Sequence, residues 1–383
     1  MHGRNASVAL AASLAAAAVL GPGAIAHAIT VTNLVSDGTV PAAFIDPNLI
    51  NPWGIASSPS SPFWVADNNA GVSTLYNSAG MPQPLVVTIP GFGGNGGTPD
   101  GIAFNGNGGF NVASGNKTGT SFFLFSTEDG TIDGWAPSVS TSNAIIAVNN
   151  NNGGAGAVYK GLTLAGTGSS TNLYVANFRG GDVEMYNSSF GLVNTFTDPN
   201  VKPGYAPFNV QELNGKLYVT FALQNAEKHD DVAGPGNGYV DVFDLNGNLL
   251  QRLVSQGGQI NSPWGLDIAP AGFGAYAGDL LVGNFGDGTI SVFDPTTGKY
   301  LGKLNGPDGK PIVEGDLWGL RNGNGGMGGN ANDVYFTAGI SGEIHGLFGS
   351  LSVPEPSTWA LMLLGFGTAG AALRRSRVGL HRA

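Results

Sequence analysis

Lys160-Gly-Leu-Thr163, Leu173-Tyr-Val-Ala-Asn177 and Gly181-Asp-Val-Glu-Met-Tyr-Asn187 make one phrase of three clauses. A Gly-aliphatic step opens it, an apolar run closing on Asn follows, and an alternating run comes after a Gly turn. The phrase returns as Pro52-Trp-Gly-Ile-Ala56, Phe63-Trp-Val-Ala-Asp67 and Gly71-Val-Ser-Thr-Leu-Tyr-Asn77. It returns again as Pro263-Trp-Gly-Leu-Asp267, Leu280-Leu-Val-Gly-Asn284 and Gly288-Thr-Ile-Ser-Val-Phe-Asp294. Weaker copies open at Pro99-Asp-Gly-Ile102, Pro207-Phe-Asn-Val210 and Leu317-Trp-Gly-Leu320. The openings at Gly54, Gly101, Gly161, Asn209, Gly265 and Gly319 stand roughly 50 residues apart, the period of a repeat architecture.

Alternation such as Val240-Asp-Val-Phe243 gives a strand one buried and one solvated face. Each unit holds three such strands, and a fourth is read at residues 85–89, 192–196, 249–254 and 300–304. A four-stranded antiparallel sheet cannot bury both faces alone, so the units must stack radially about an axis. The expected fold is all-β, a six-bladed β-propeller of four-stranded antiparallel blades spanning residues 29–352. Unit six has no fourth strand of its own before the tail. Thr32-Asn-Leu-Val-Ser-Asp-Gly38 echoes Gln251-Arg-Leu-Val-Ser-Gln-Gly257 in unit four, so the N-terminal strand is expected to complete the last blade and remove two sheet edges.

The ends read as addresses. An uncharged, Ala-rich stretch follows Arg4, then come Gly21-Pro22-Gly23 and Ala26-His27-Ala28, the pattern of a secretory signal peptide over residues 1–28. At the other end, residues 353–383 carry Pro354, Glu355 and Pro356, an uncharged run at 358–373, and the basic stop Arg374, Arg375 and Arg377. This tail resembles the PEP-CTERM sorting signal of exported proteins in Gram-negative bacteria. The resemblance implies an exosortase-type membrane protease as partner, transient anchoring in the inner membrane by a C-terminal helix, and an outer-surface or extracellular destination. The run is shorter than the ~20 residues that usually span a bilayer; a permanent single-span anchor is the alternative. Leu-Tyr-Val-Ala-Asn resembles the NHL-type repeat and the exported lactonase-like and lyase-like propellers. The chain as a whole is similar to an uncharacterised bacterial propeller family whose members often carry such tails. That resemblance bears on fold; propellers host unrelated functions.

Cysteine is absent, which excludes disulfides, thiolate metal sites and Cys nucleophiles. Five of the 16 Lys and Arg residues lie in the two ends, while all 26 Asp and Glu lie between Asp37 and Glu355. So acidic a body argues against nucleic acid or anionic lipid as partner, leaves the tail as its only membrane contact, and favours cations or neutral glycans.

Two places could carry chemistry. Glu227-Lys-His-Asp-Asp231 concentrates charge in an insertion of unit four. His229 with Asp230 and Asp231 could hold a divalent cation or make a carboxylate-oriented base, with Lys228 beside them to meet a ligand; the alternative is a solvated loop. The second place is the axial opening. Oxygens of Asp67, Asp100, Asn177, Asn209 and Asn284 would suit Ca2+, and Trp53, Trp264 and Trp318 would stack on sugar rings. Against this stand Asx-turns, which use up such side chains locally, and Trp as a plug between blades. Lactonase-like propellers resemble this arrangement in holding an axial metal with carboxylate and amide ligands, but no Glu stands on the first inner strand here. His345 falls in the strand-like Gly342-Glu-Ile-His-Gly-Leu-Phe348 and reads as a packed or edge residue. The expected function is a non-enzymatic binding scaffold for a ligand or glycan, at the cell surface or in an exopolysaccharide matrix, with a surface protein as another candidate partner. A Ca-dependent lactonase-like or lyase-like enzyme is the alternative.

Overall fold

The computed structural model describes residues 28–94 and 96–354. Six antiparallel sheets surround one axis, each inner strand lying against the inner strand of the next blade all the way round. Blade 1 is Pro52–Ala56, Phe63–Asp67, Val72–Tyr76 and Val87–Thr88. Blade 2 is Pro99–Phe104, Phe123–Thr127, Thr131–Trp135 and Ile145–Asn149, with an extra hairpin, Asn111–Ser114 and Lys117–Thr120, inserted after its first strand. Blade 3 is Tyr159–Ala165, Asn172–Asn177, Asp182–Tyr186 and Leu192–Phe196. Blade 4 is Tyr205–Leu213, Lys216–Leu223, Tyr239–Phe243 and Leu249–Val254. Blade 5 is Pro263–Ile268, Leu280–Asn284, Ile290–Phe293 and Tyr300–Lys303.

Blade 6 takes three strands from the end of the ring, Leu317–Asn322, Val334–Ala338 and Leu347–Ser352, and its fourth, Thr30–Ser36, from the beginning. Thr30 pairs with Ser352 and Ser36 with Leu347. Ile29, Leu34, Val35 and Ser36 are buried, so this strand is part of the core. Phe44–Ile45 adds a short parallel strand outside it. His345 departs from expectation. It lies in a loop before Leu347, after the short helical turn Ile340–Glu343. Its Nδ1 sits 2.6 Å from Asp37 Oδ2 and 2.8 Å from Thr39 Oγ1, pinning the exit of the closing strand to blade 6.

Every inner strand carries a register shift at the same place: between Pro52 and Ile55, between Pro99 and Ile102, and at equivalent points in the other four blades. A bulge bends its strand and re-aims a side chain. Here it coincides with the repeated Gly, and the reason is space. A Cβ at Gly54 would stand 2.5 Å from Asp100 O of the next blade, and one at Gly319 2.6 Å from Trp53 O. Gly101 and Gly265 meet the next backbone equally closely, and Gly161 meets Asn209. None of these glycines has a positive φ, so closeness rather than conformation demands them.

Hydroxyls on the second strands of blades 2 and 6 tie neighbours together at this level. Ser126 Oγ accepts from Gly101 N and donates to Lys160 O at 2.5 Å; Thr337 Oγ1 accepts from Gly319 N and donates to Trp53 O at 2.5 Å. In blade 4, Thr220 Oγ1 accepts from Asn209 N, and the Asn209 amide donates to Trp264 O at 2.7 Å. That is why Asn can replace Gly there.

Two outcomes test this frame. A chain lacking residues 29–38 should lose its cooperative melt and its solubility; a melt like the parent's would refute closure by the first strand. Gly319→Ala should cost about 1–3 kcal/mol, the usual range for overpacking, read as a lower urea midpoint with an unchanged slope. An unshifted midpoint would show that the inner strands have room to spare.

Candidate functional site

The bulges aim the residue before each opening Gly at the axis: Trp53, Asp100, Lys160, Phe208, Trp264 and Trp318. All six are buried. Trp53 stacks on Trp318 at 3.4 Å, Trp264 meets both edge-on at 5.9 Å, and Phe285 stacks on the other side of Trp318 at 4.0 Å. Phe178 and Phe208 complete the cluster. Such ring pairs add about 0.5–1.5 kcal/mol each beyond burial. The expectation of open indole faces for sugar stacking is thereby corrected: Trp53, Trp264 and Trp318 plug the channel where the inner strands begin.

One sector of the plug is charged. Lys160 is 1% exposed, pairs with Glu128, and places Nζ 4.7 Å from the centre of the Trp53 ring. Burial pulls its ammonium down, but the Glu128 and Asp100 charges outweigh this and leave it above its ordinary pKa. The Asn68 amide nitrogen donates to Asp100 Oδ1 at 2.6 Å and to Glu128 Oε2 at 3.1 Å. Burial holds Asp100 well above the carboxylate range, with Glu128 adding to the effect. Among the described residues, Asp100 Oδ2 has no hydrogen-bond partner. From blade 6, Glu343 accepts from Asn51 Nδ2 at 2.9 Å, while Asn51 Oδ1 accepts from Trp318 Nε1 at 3.0 Å. Burial pushes Glu343 up to about 7.

The blade-4 insertion folds over this sector. Gln224 Nε2 donates to Phe178 O at 2.5 Å, and Asn225 Oδ1 accepts from His229 N at 3.0 Å. His229 Nδ1 then lies 2.8 Å from Asp230 Oδ1 and 4.0 Å from Glu128 Oε1. The Asp230 hydrogen bond raises the His229 pKa, with burial opposing it. Asp231 Oδ2 is buried without a hydrogen-bond partner among the described residues, and burial pushes this carboxyl up to about 6. Lys228 is exposed, with φ +54°; the cation at the mouth is Lys160 instead.

The other expected oxygen ligands do not converge. Asp67 Oδ2 accepts from Thr74 N and Oγ1; Asn177 donates to Glu184 and accepts from Gly180 N; Asn284 accepts from Asn261 N and donates to Thr289 O and Ser291 Oγ. Asn209 spans to Trp264 O and caps Val210 N. These are the local turn and strand bonds that compete with a metal role, and only Asp100 of the five stands at the charged mouth. Glu128, Lys160 and Glu343 went unnoticed in the sequence. Two of them carry a signal: Lys160 takes the position of Trp53 in the repeat, and Glu128 follows its second strand as Asn68 follows Phe63–Asp67.

The opposite mouth, where the inner strands end, is open. A cavity of about 610 Å³ is lined by Ser57, Phe104, Glu212, Asp267, Arg321 and Asn322 among others, and a recess of about 160 Å³ continues from it past Thr163 and Gln211. Asp267 accepts from Asn322 N at 2.7 Å and from Ile268 N at 2.8 Å; burial raises it to about 6 against the pull of Arg321. The channel is therefore a funnel, blind at the Trp plug.

No helix among the described residues is long and apolar enough to cross a membrane. The leader read at 1–28, apart from Ala28, and the tail from Glu355 onward, with Pro356, Arg374 and Arg375, lie outside the described residues. Residues 352–377 match the PEP-CTERM protein-sorting motif, which marks an exported protein and is associated with exosortase processing. The chain is 33% identical over 329 residues to uncharacterized protein L690 of Acanthamoeba polyphaga mimivirus, covering 84% of this chain and 85% of that one. It is 32% identical over 325 residues to uncharacterized protein R648 of the same virus, covering 83% and 78%. Among solved structures, a streptogramin B lyase aligns over 85% of this chain and 97% of its own, at 12% identity and a TM-score of 0.48.

Glu343 supplies a pH test. Its carboxyl ionises near 4.5 when free and at about 7 here, so the folded state holds the proton more tightly. Stability conferred by that proton is present below 4.5 and lost as pH rises through 7. Glu343→Gln should melt increasingly above the parent as pH climbs across this window and level off beyond it. Parallel melting curves from pH 4 to 8 would remove the assignment.

Proposed function

The chain belongs to one family with the mimivirus proteins L690 and R648, and we propose that this exported propeller is a binding scaffold that takes a neutral glycan in its open funnel. The observation that carries the reading is Arg321. Its guanidinium makes no hydrogen bond within the described protein, and it faces a cavity of about 610 Å³ between Glu212 and Asp267. That volume falls within the usual range for small-ligand pockets.

The donor and acceptor pattern supports this ligand class. A guanidinium and two carboxylates can share vicinal hydroxyls, since one donates and the others accept. Phe104, Pro59 and Pro270 offer apolar surface to the C–H face of a sugar ring. Two acids against one Arg, in a body of negative charge, disfavour an anionic polymer. Every wall residue sits on or beside an inner strand, so the site is rigid before the ligand arrives and little ordering entropy is lost on binding.

The competing reading is a metal-dependent lactonase or lyase at the other mouth, and its support is the His229–Asp230 pair beside Glu128. The plug and the near-sealed Lys160–Glu128 pair leave a substrate little approach there. Glycan-array screening with neutral exopolysaccharide fragments, followed by calorimetry on the best binder, tests the first reading. Arg321→Ala should weaken binding about ten-fold, the cost of a lost charge-assisted hydrogen bond, with the melt unchanged. Equal affinity in the variant, or turnover of lactones that stops with chelator, would overturn it.

A further inference from the structure

We propose that Glu128, His229 and Asp230 form a site for a first-row divalent transition cation of the Zn2+ type, which fastens the blade-4 loop across the axis onto blade 2. This site is on the mouth opposite the glycan funnel and stands independently of that reading. One ligand atom from each residue lies within 4.8 Å of the other two. Small side-chain movements would bring the three around one ion, with water filling the remaining positions.

Three observations separate this cluster from a chance meeting of acids. Glu128 is held on both oxygens, Oε1 by Lys160 and Oε2 by Asn68, the outer-shell support that orients a metal-bound carboxylate. Asp100 is fully buried with Oδ2 unpartnered, is joined to Glu128 through the Asn68 amide, and feels the charges of Glu128, Lys160 and Glu343. The loop also holds His229 half-exposed at the mouth, its Nδ1 2.8 Å from Asp230 Oδ1 and 4.0 Å from Glu128 Oε1, so one nitrogen and two carboxylate oxygens converge where solvent has access.

The imidazole selects the metal. Ca2+ takes oxygen ligands, whereas one nitrogen with two carboxylate oxygens is a set for Zn2+ and its neighbours. A cation between His229 Nδ1 and Asp230 Oδ1 takes the place of the hydrogen that now joins them, and that proton leaves to Nε2 or to solvent. The loop's other anchor, Gln224 on Phe178 O, is on blade 3. A bound ion would therefore hold the loop at two points.

The full-length chain, stripped with chelator, is titrated calorimetrically with Zn2+ and in parallel with Ca2+. One Zn2+ per chain is expected, with Ca2+ weaker. His229→Ala should lower Zn2+ affinity about ten-fold or more, and Asp231→Asn should match the parent. Glu128→Gln leaves buried Lys160 unpaired and endangers folding, so His229→Ala, on a half-exposed loop, is the deciding variant, its melt confirming the fold. Absence of Zn2+ uptake by the parent, equal uptake by His229→Ala, or a preference for Ca2+ would each overturn the site.

Discussion

Backbone meets backbone at the centre of this ring. The six inner strands approach so closely that at five of six equivalent positions a single added carbon would collide with the next blade, as at Gly54 against Asp100 O and Gly265 against Trp318 O. Close packing leaves no slack for that carbon. The sixth position holds Asn209, whose amide spans the gap and bonds to Trp264 O. Blades 2 and 6 reinforce the same level with a hydroxyl that accepts from one strand and donates to the next, Ser126 toward Lys160 and Thr337 toward Trp53. A buried hydroxyl with both capacities used costs nothing in unmet hydrogen bonds.

The bulges that accompany this approach decide the chemistry of the axis. Each turns the residue before the Gly inward, and six converging side chains must fill one narrow bore. Four of them are aromatic and make a dry plug; Asp100 and Lys160 make the remainder a charged sector, to which Glu128, Asn68 and Glu343 add. Burying an ion pair costs desolvation that mutual attraction barely repays, so a purely structural plug would be better served by more rings. The charged sector, the loop over it and the open funnel beyond the plug give the two ends of one channel different chemistry.

Much of the frame was legible. The six copies, their Gly openings and the echo between Thr32–Gly38 and Gln251–Gly257 led to six blades and to closure by the first strand, and the pairing of Thr30 with Ser352 bears this out. The charged run at 227–231, read as a place apart from the axial opening, brings His229 to within 4.0 Å of Glu128. Blade 2 hid its part. Its inserted hairpin, with Asn111-Val-Ala-Ser114, imitates the second-strand phrase and masks the equivalence of Glu128 with Asn68. His345 looked like a strand residue because Ile344 and Leu347 flank it, yet the turn at Ile340–Glu343 places it in a loop facing Asp37.

Periodicity and repetition are local properties, so the order of residues alone settled the blade count, the four-strand sheet, the closing strand and the acidic, cysteine-free character of the body. Whether Trp53 faces a ligand or a neighbouring Trp is not local. The answer lies in the bulge, the taper of the bore and the five other residues that share it. The same holds for the pairing of Lys160 with Glu128, which lie on successive blades, and for His229, brought from blade 4 to within 4.0 Å of Glu128. Contacts between units depend on how the units are curved and clasped, and that information appears only when the ring is shut.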